Sequence, residues 1–311
     1  MTIGIIAIIV LVLITAAVIM TLILYHQCFY SPLSTQGNLY KIPNNEQYAP
    51  YRQKMARMIF DFSNVEYVPV ETMSYDGLKL AGRFYAGKKD KPFIIGFHGY
   101  RSMAVHDYCG EGMHMVELGY NLILVDQRGC GKSEGHTITF GIKERRDCLS
   151  WIDFVREHFG EDTKIFLSGV SMGATTVLMA AEFDLPQNVR GIMTDCGFTS
   201  PSDIIKKVAM DRKYPVGLFY PFAKLGAKIP GHFNLEECSA LESVKKTRVP
   251  ILIAHGEDDR FVPCSMGRQL YEANPKMVRF ETFVDAGHGI SYILEEERYR
   301  TLTEEFLKVN G

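Results

Sequence analysis

Apolar residues run from Ile3 to Tyr25 without a charge or a proline. At about 1.5 Å of rise each, these 23 residues make a helix of roughly 34 Å, enough to cross a hydrocarbon core about 30 Å thick. The expected element is a single-pass membrane anchor over residues 1–25, with the bilayer met by residues 3–25. A cleaved signal peptide is the rival reading. The run is longer than a signal's apolar core, however, and Ala16-Ala17 leads into further apolar residues instead of a polar mature start. Residues 26–60 scatter Pro32, Pro43, Asn44, Asn45 and Pro50 among polar and aromatic positions, which predicts a juxtamembrane tether ending in a short helix.

After residue 60 the period changes. Val65 to Ser74 alternates and is rich in β-formers, Asp76-Gly77 is a turn signal, and Leu78 to Tyr85 reads as the returning strand. Short runs that are almost wholly apolar follow: Phe93 to Ile95, Asn121 to Val125, Lys164 to Leu167, Gly191 to Met193 and Val249 to Ala254, as expected of strands buried on both faces. Cys148, Trp151, Ile152, Val155 and Phe159 recur at helical intervals and predict a helix with one face on the sheet, as do Tyr299, Leu302 and Phe306. Strand and helix in alternation predict the α/β class: a mostly parallel, doubly wound sheet with an N-terminal antiparallel hairpin, filling residues 61–311. Residues 199–246 are too many for an ordinary crossover, and their apolar and aromatic content predicts a small helical cap.

Charge narrows the function. With 34 basic against 36 acidic side chains, net −2, there is no overall field to hold nucleic acid or an anionic bilayer, so nucleic-acid binding is set aside. Lys41, Arg52, Lys54 and Arg57 follow the apolar run and no Lys or Arg precedes it, a bias that leans the globular part to the cytoplasmic side. The seven cysteines are scattered without a C-x-x-C pair, so they read as buried or half-buried thiols of a reducing compartment, with no disulfide framework or zinc site. Nothing in the chain calls for a metal or an organic cofactor, and no signal sets an oligomeric state.

The candidate chemistry starts at Gly169-Val170-Ser171-Met172-Gly173, which follows a predicted strand and opens a predicted helix. A serine hydroxyl is a poor nucleophile and must be lifted on a tight turn to where a base can reach it; the glycines remove side chains that would collide there. His288, in Asp285-Ala286-Gly287-His288-Gly289 after the run Val278 to Val284, is placed to be that base. The acid that orients it is expected after the strand Val249 to Ala254, where Glu257, Asp258 and Asp259 are all candidates. Met172 N–H, next after the nucleophile, is one expected oxyanion donor.

These segments resemble the α/β-hydrolase family over roughly residues 65–310. His255-Gly256-Glu257-Asp258-Asp259-Arg260-Phe261-Val262-Pro263 is similar to its H-G-x-x-D-x-x-V-P acid loop, which implies Asp259 as the acid with Asp258 as fallback. Phe97-His98-Gly99-Tyr100-Arg101 is similar to its H-G oxyanion loop, which implies Tyr100 N–H as the second donor, the side chain being incidental, and a structural His98. The cap position and Asp126-Gln127-Arg128-Gly129-Cys130-Gly131-Lys132-Ser133 resemble the serine aminopeptidase and monoglyceride lipase branch, in which Asp126 and Arg128 would tie down a turn. Gly131-Lys132-Ser133 also ends like a phosphate loop, but Asp126 stands where that loop needs glycine and would repel phosphate.

The resemblance implies a serine hydrolase. A proline-releasing aminopeptidase would read H-G-G-P-G at the oxyanion loop, and a dehalogenase or epoxide hydrolase would carry aspartate at position 171, so neither is expected. An apolar cap in a membrane-held chain suits a small-molecule ester or thioester with a lipophilic acyl group. A peptidase or amidase of the same fold is the alternative, and a non-catalytic docking module a remote one.

Overall fold

The computed structural model describes residues 2–32 and 42–311. Met1 and residues 33–41, which hold Lys41 and part of the segment read as a tether, lie outside the described residues. Eight strands form one sheet: β1 (Val68–Met73), β2 (Lys79–Tyr85), β3 (Phe93–Phe97), β4 (Asn121–Val125), β5 (Ile165–Val170), β6 (Val189–Asp195), β7 (Ile251–Gly256) and β8 (Val278–Phe283). Their order is β1-β2-β4-β3-β5-β6-β7-β8. β2 pairs antiparallel with both β1 and β4, and every later pairing is parallel. This is the α/β-hydrolase fold.

The helices are α1 (Thr2–Cys28), α2 (Arg52–Ser63), α3 (Ala104–Asp107), α4 (Glu111–Glu117), α5 (Glu144–Phe159) and α6 (Met172–Ala180), followed by α7 (Pro201–Asp211), α8 (Val216–Lys228), α9 (Ala240–Lys246), α10 (Cys264–Ala273), α11 (Ser291–Leu294) and α12 (Glu296–Asn310). Side-chain parity along the strands divides them between the sheet faces. Ile94, Leu122, Leu124, Phe166 and Leu252 point to a core shared with Met55, Ile59 and Phe62 of α2 and Tyr299, Leu302 and Phe306 of α12. Ile95, Ile123, Leu167, Ile251 and Ile253 point the other way, onto Cys148, Trp151, Ile152 and Val155 of α5 and onto α6. Phe159, on the same predicted stripe, closes the helix at its rim, half out in solvent but with its ring against Phe84 and Phe93.

A third cluster joins Leu24, Tyr25 and Phe29 to Ile204 and Ile205 of α7, Tyr220 and Ala223 of α8, and Phe140 and Met172. Of the helices between β6 and β7, α7 and α8 therefore build over the end of the sheet. α9 instead returns to the face occupied by α6 and α10, with Ala240 and Val244 in that core. α7 starts on Ser200, whose hydroxyl accepts from Asp203 N–H at 3.0 Å, with Pro201 at its first turn. α1 is long and apolar enough to cross a membrane.

The loop after β4 is a structural knot. Arg128 donates to Asp147 from Nε at 2.6 Å and from Nη2 at 2.5 Å, and reaches Asp76 in the β1–β2 turn at 2.9 and 3.0 Å. Asp126 accepts from Lys132 N–H at 2.9 Å, and a Cβ on Gly131 would lie 2.3 Å from the Asp126 carboxylate. The carboxylate fills the space a phosphate would need.

Candidate active site

Ser171 sits between β5 and α6 with φ 55° and ψ −113°, in the region a side chain rarely adopts. Its N–H donates to Asp195 O at 2.9 Å, which ties the turn to the end of β6. The flanking glycines are required by contact: a Cβ on Gly169 would stand 2.4 Å from Gly173 backbone, and one on Gly173 would stand 1.9 Å from Phe97 O. The result presents Ser171 Oγ at 2.9 Å from His288 Nε2.

His288 hangs on the loop after β8, where Tyr48 OH donates to His288 O at 2.6 Å. Its Nδ1 donates to Asp259 Oδ2 at 2.7 Å, and Asp259 Oδ1 accepts from the N–H groups of Phe261 and Val262 at 2.8 Å each. Of the acids that spacing left open, Glu257 accepts from Thr282 at the surface and Asp258 is exposed, while Asp259 is buried against the imidazole. Burial opposes the charge on Asp259, but His288 beside it, with His255, holds the carboxyl well below its usual range. Burial likewise opposes the imidazolium, yet Asp259 outweighs it and the His288 pKa rises above 6.5.

The H-G loop lies against the nucleophile, since a Cβ on Gly99 would be 3.4 Å from Ser171 Cβ. Gly99 N–H is taken by Asp107 Oδ2 at 2.6 Å, and the next N–H along the loop is that of Tyr100. Asp107 also accepts from Ser102 at 2.6 Å and meets His106 Nδ1 at 3.0 Å, so the loop is braced from beneath. His98 is wholly buried, with Nε2 accepting from Gln127 N–H at 3.1 Å and Nδ1 donating to Gly99 O at 2.7 Å. The Tyr100 side chain is not incidental: its ring stacks on Phe140 at 5.0 Å and its hydroxyl donates to Cys28 O at 2.9 Å, at the end of α1.

Two cavities open on Ser171. One, about 370 Å³, is lined by Tyr48, His106, Glu111, Asp195, Tyr292 and Tyr299 as well as His288. Burial and the neighbouring Asp195 push Glu111 up to about 8, and burial pushes Asp195 to about 6. The other, about 160 Å³, runs under the cap between Phe198, Ile204, Val208, Phe219 and Cys28. Cys196 Sγ is 4.0 Å from His288 Nε2, and with Asp259 these groups lie close enough to suggest a metal site. Burial holds the Cys196 thiol well above its usual pKa, so it offers no thiolate, and both ring nitrogens of His288 already have partners.

Residues 42–51, expected from the sequence to be part of a tether, lie against the site. Gln47 Nε2 donates to Asp258 O at 2.5 Å, so Gln47 and Tyr48 clasp the acid loop and the histidine loop together. The local signal was Asn45, whose Oδ1 caps the N–H groups of Gln47 and Tyr48 at 3.1 and 3.3 Å; a turn was legible there, but its distant target was not.

Residues 92–231 match the family model for the alpha/beta hydrolase fold. The match agrees with the strand order: the chain has the α/β-hydrolase fold. It is 23% identical to the uncharacterized protein YqkD of Bacillus subtilis over 95% of this chain and 94% of that one. It is 25% identical to the lysophosphatidylserine lipase ABHD12 of Danio rerio, across 70% of this chain and 58% of that protein's length. Among solved structures the Pyrococcus furiosus esterase Pf2001 superposes with a TM-score of 0.66 at 24% identity, covering 81% of this chain and 94% of that one.

Proposed function

We propose that this protein is a serine hydrolase that cleaves carboxylic esters or thioesters of lipophilic acyl groups through an acyl-enzyme. His288 Nε2 takes the proton of Ser171 as Oγ attacks the acyl carbonyl, and Asp259 steadies the imidazolium that forms. Tyr100 N–H and Met172 N–H receive the oxyanion. The tetrahedral adduct collapses with the leaving alcohol or thiol protonated by His288. Water, deprotonated by the same imidazole, then releases the acid and restores Ser171. The observation that carries this reading is the unbroken relay of 2.9 Å and 2.7 Å from Ser171 through His288 to Asp259. The esterase and lipase names among its relatives support an ester substrate.

In this reading α1 anchors the chain in a bilayer, and the hydrolase domain lies on the cytoplasmic side with Arg52, Lys54 and Arg57. The test is a fluorophosphonate probe on the full chain in detergent micelles, followed by acyl esters, acyl thioesters and peptide amides. Labelling abolished by Ser171→Ala, with ester or thioester turnover, is expected; an unlabelled native protein, or cleavage of amides alone, refutes it.

A further inference from the structure

The membrane-length helix does not stop at the edge of the domain. Thr21, Leu24 and Tyr25 are buried by it, and Phe29 just beyond is fully enclosed. α1 packs on α8, where a Cβ on Gly226 would come within 3.2 Å of Thr21 O and Tyr25 N; glycine there lets the two backbones close up. The last carbonyls of a helix lack partners within it. Here the candidate oxyanion loop supplies them: Tyr100 OH donates to Cys28 O at 2.9 Å, and Arg101 Nη2 donates to His26 O at 3.3 Å and Tyr30 O at 2.7 Å. Cys28 itself is a wall of the cavity under the cap, with Ser171 at its floor.

The outer side of α8 is apolar as well. Leu218, Leu225 and Ile229 are 58%, 40% and 61% exposed, at helical spacing and beside a helix of membrane length. Residues 201–229 carry six Lys or Arg against two Asp, a local excess that the chain's net charge of −2 hides. An apolar stripe flanked by cations is the composition of a surface resting in a lipid headgroup region.

We propose that the end of α1 is a working wall of the acyl pocket, and that the acyl chain of a membrane lipid reaches Ser171 from the bilayer through the cleft that Gln27 and Cys28 at the end of α1 line together with Ile204 and Val208 of α7 and Arg212 just beyond it. The proposal rests on the reading of Ser171 as the acylated nucleophile. Because Tyr100 bridges α1 and the loop beside Ser171, it acts as a positioning residue that links the membrane helix to the oxyanion donors.

The experiment uses the full chain in lipid nanodiscs, with p-nitrophenyl acetate and p-nitrophenyl palmitate as probes and fluorophosphonate labelling to certify the site in every variant. Cys28→Trp fills the cavity and is expected to lower kcat/KM for palmitate about tenfold or more relative to acetate. Tyr100→Phe, which keeps the ring and removes one hydrogen bond, is expected to lower kcat about three- to tenfold with KM nearly unchanged. Leu225→Asp with Ile229→Asp, at exposed positions that spare the core, is expected to reduce the palmitate-to-acetate ratio about fivefold or more. A ratio that stays native in both Cys28→Trp and the paired Asp variant, with labelling intact, overturns the bilayer route and leaves the serine hydrolase standing. A native protein that neither labels nor turns over acetate overturns that reading first, and this proposal with it.

Discussion

Replacing Asp259 by Asn tests the candidate triad without altering its shape. Phe261 and Val262 N–H both point at Oδ1 from 2.8 Å, and His288 Nδ1 faces Oδ2 at 2.7 Å. An amide in this place must turn its oxygen to the two backbone donors, because the reverse orientation leaves the part-buried Phe261 N–H and the buried Val262 N–H unpaired, the latter at about 1–3 kcal/mol. Its NH2 then faces Nδ1 of the imidazole, which has to accept. The ring proton moves to Nε2, where it donates to Ser171 Oγ and blocks removal of the hydroxyl proton. The wrong tautomer costs about 10⁴ in kcat, roughly 5.5 kcal/mol at about 1.36 kcal/mol per tenfold. The assay is kcat on a p-nitrophenyl ester and the rate of fluorophosphonate labelling, with circular dichroism to verify the fold and Asp258→Asn as the exposed control. An Asp259→Asn variant within tenfold of native, or a control equally damaged, refutes the argument. In the native enzyme, activity falls as pH drops and His288 becomes protonated; because Asp259 raises that pKa, the acid limb lies above the 6.5 of an ordinary histidine.

Gly173→Ala sets a methyl 1.9 Å from Phe97 O, so backbone has to move; a Tm several degrees lower and lost labelling are expected, and a native Tm would show the elbow to be looser than described. Arg128→Met strands Asp147, whose side chain is 5% exposed; a loss of about 3–5 kcal/mol in urea unfolding is expected, most of it from Asp147 because Asp76 is partly solvated. Glu111→Gln is a matter of sign. The native carboxyl keeps its proton up to about 8 while the unfolded chain gives it up near 4.5, so its stabilisation is complete below the lower value and lost as pH rises through the higher. The Tm of Glu111→Gln should therefore gain on the native one between pH 5 and pH 9, by the equivalent of several kcal/mol, and a constant difference would remove the basis for a protonated Glu111.

What the sequence made legible was local. β4 begins and ends on the residues of its apolar run, and Cys148, Trp151, Ile152 and Val155 form one buried stripe, because periodicity registers which side of an element meets the core. The elbow was legible for the same reason: its glycines, strand and helix lie within a few consecutive positions. The choice among Glu257, Asp258 and Asp259 was not, since it depends on a histidine 29 residues away and on two N–H groups that only the folded loop directs. Hydropathy alone could not find where α1 enters the protein, because the enclosed Leu24 and Phe29 are no more apolar than the exposed residues before them. The clasp made by Gln47 and Tyr48 was legible only as the turn that Asn45 caps, for its partners are separated by 211 and 240 positions.

The two cavities constrain how an ester would lie across Ser171. In the proposed mechanism its carbonyl oxygen faces Tyr100 N–H and Met172 N–H, which leaves the acyl chain and the alcohol to the two remaining directions. The larger cavity sets two buried carboxyl groups, Glu111 and Asp195, beside Met55, Val170 and Ile293, so an acyl chain there would lie against groups that water or a polar alcohol solvates better. Placed instead among Phe198, Ile204 and Val208, the chain meets mostly apolar neighbours on its way to the end of α1, where Gln27, Arg101 and Arg212 join the lining. The alcohol then occupies the larger cavity, where Glu111, still protonated at neutral pH, can donate to it and Asp195 can accept. Under the proposed function, that arrangement favours a single acyl chain on a polar, hydroxyl- or amine-bearing alcohol over a triester, whose second and third chains would have to lie against Glu111 and Asp195.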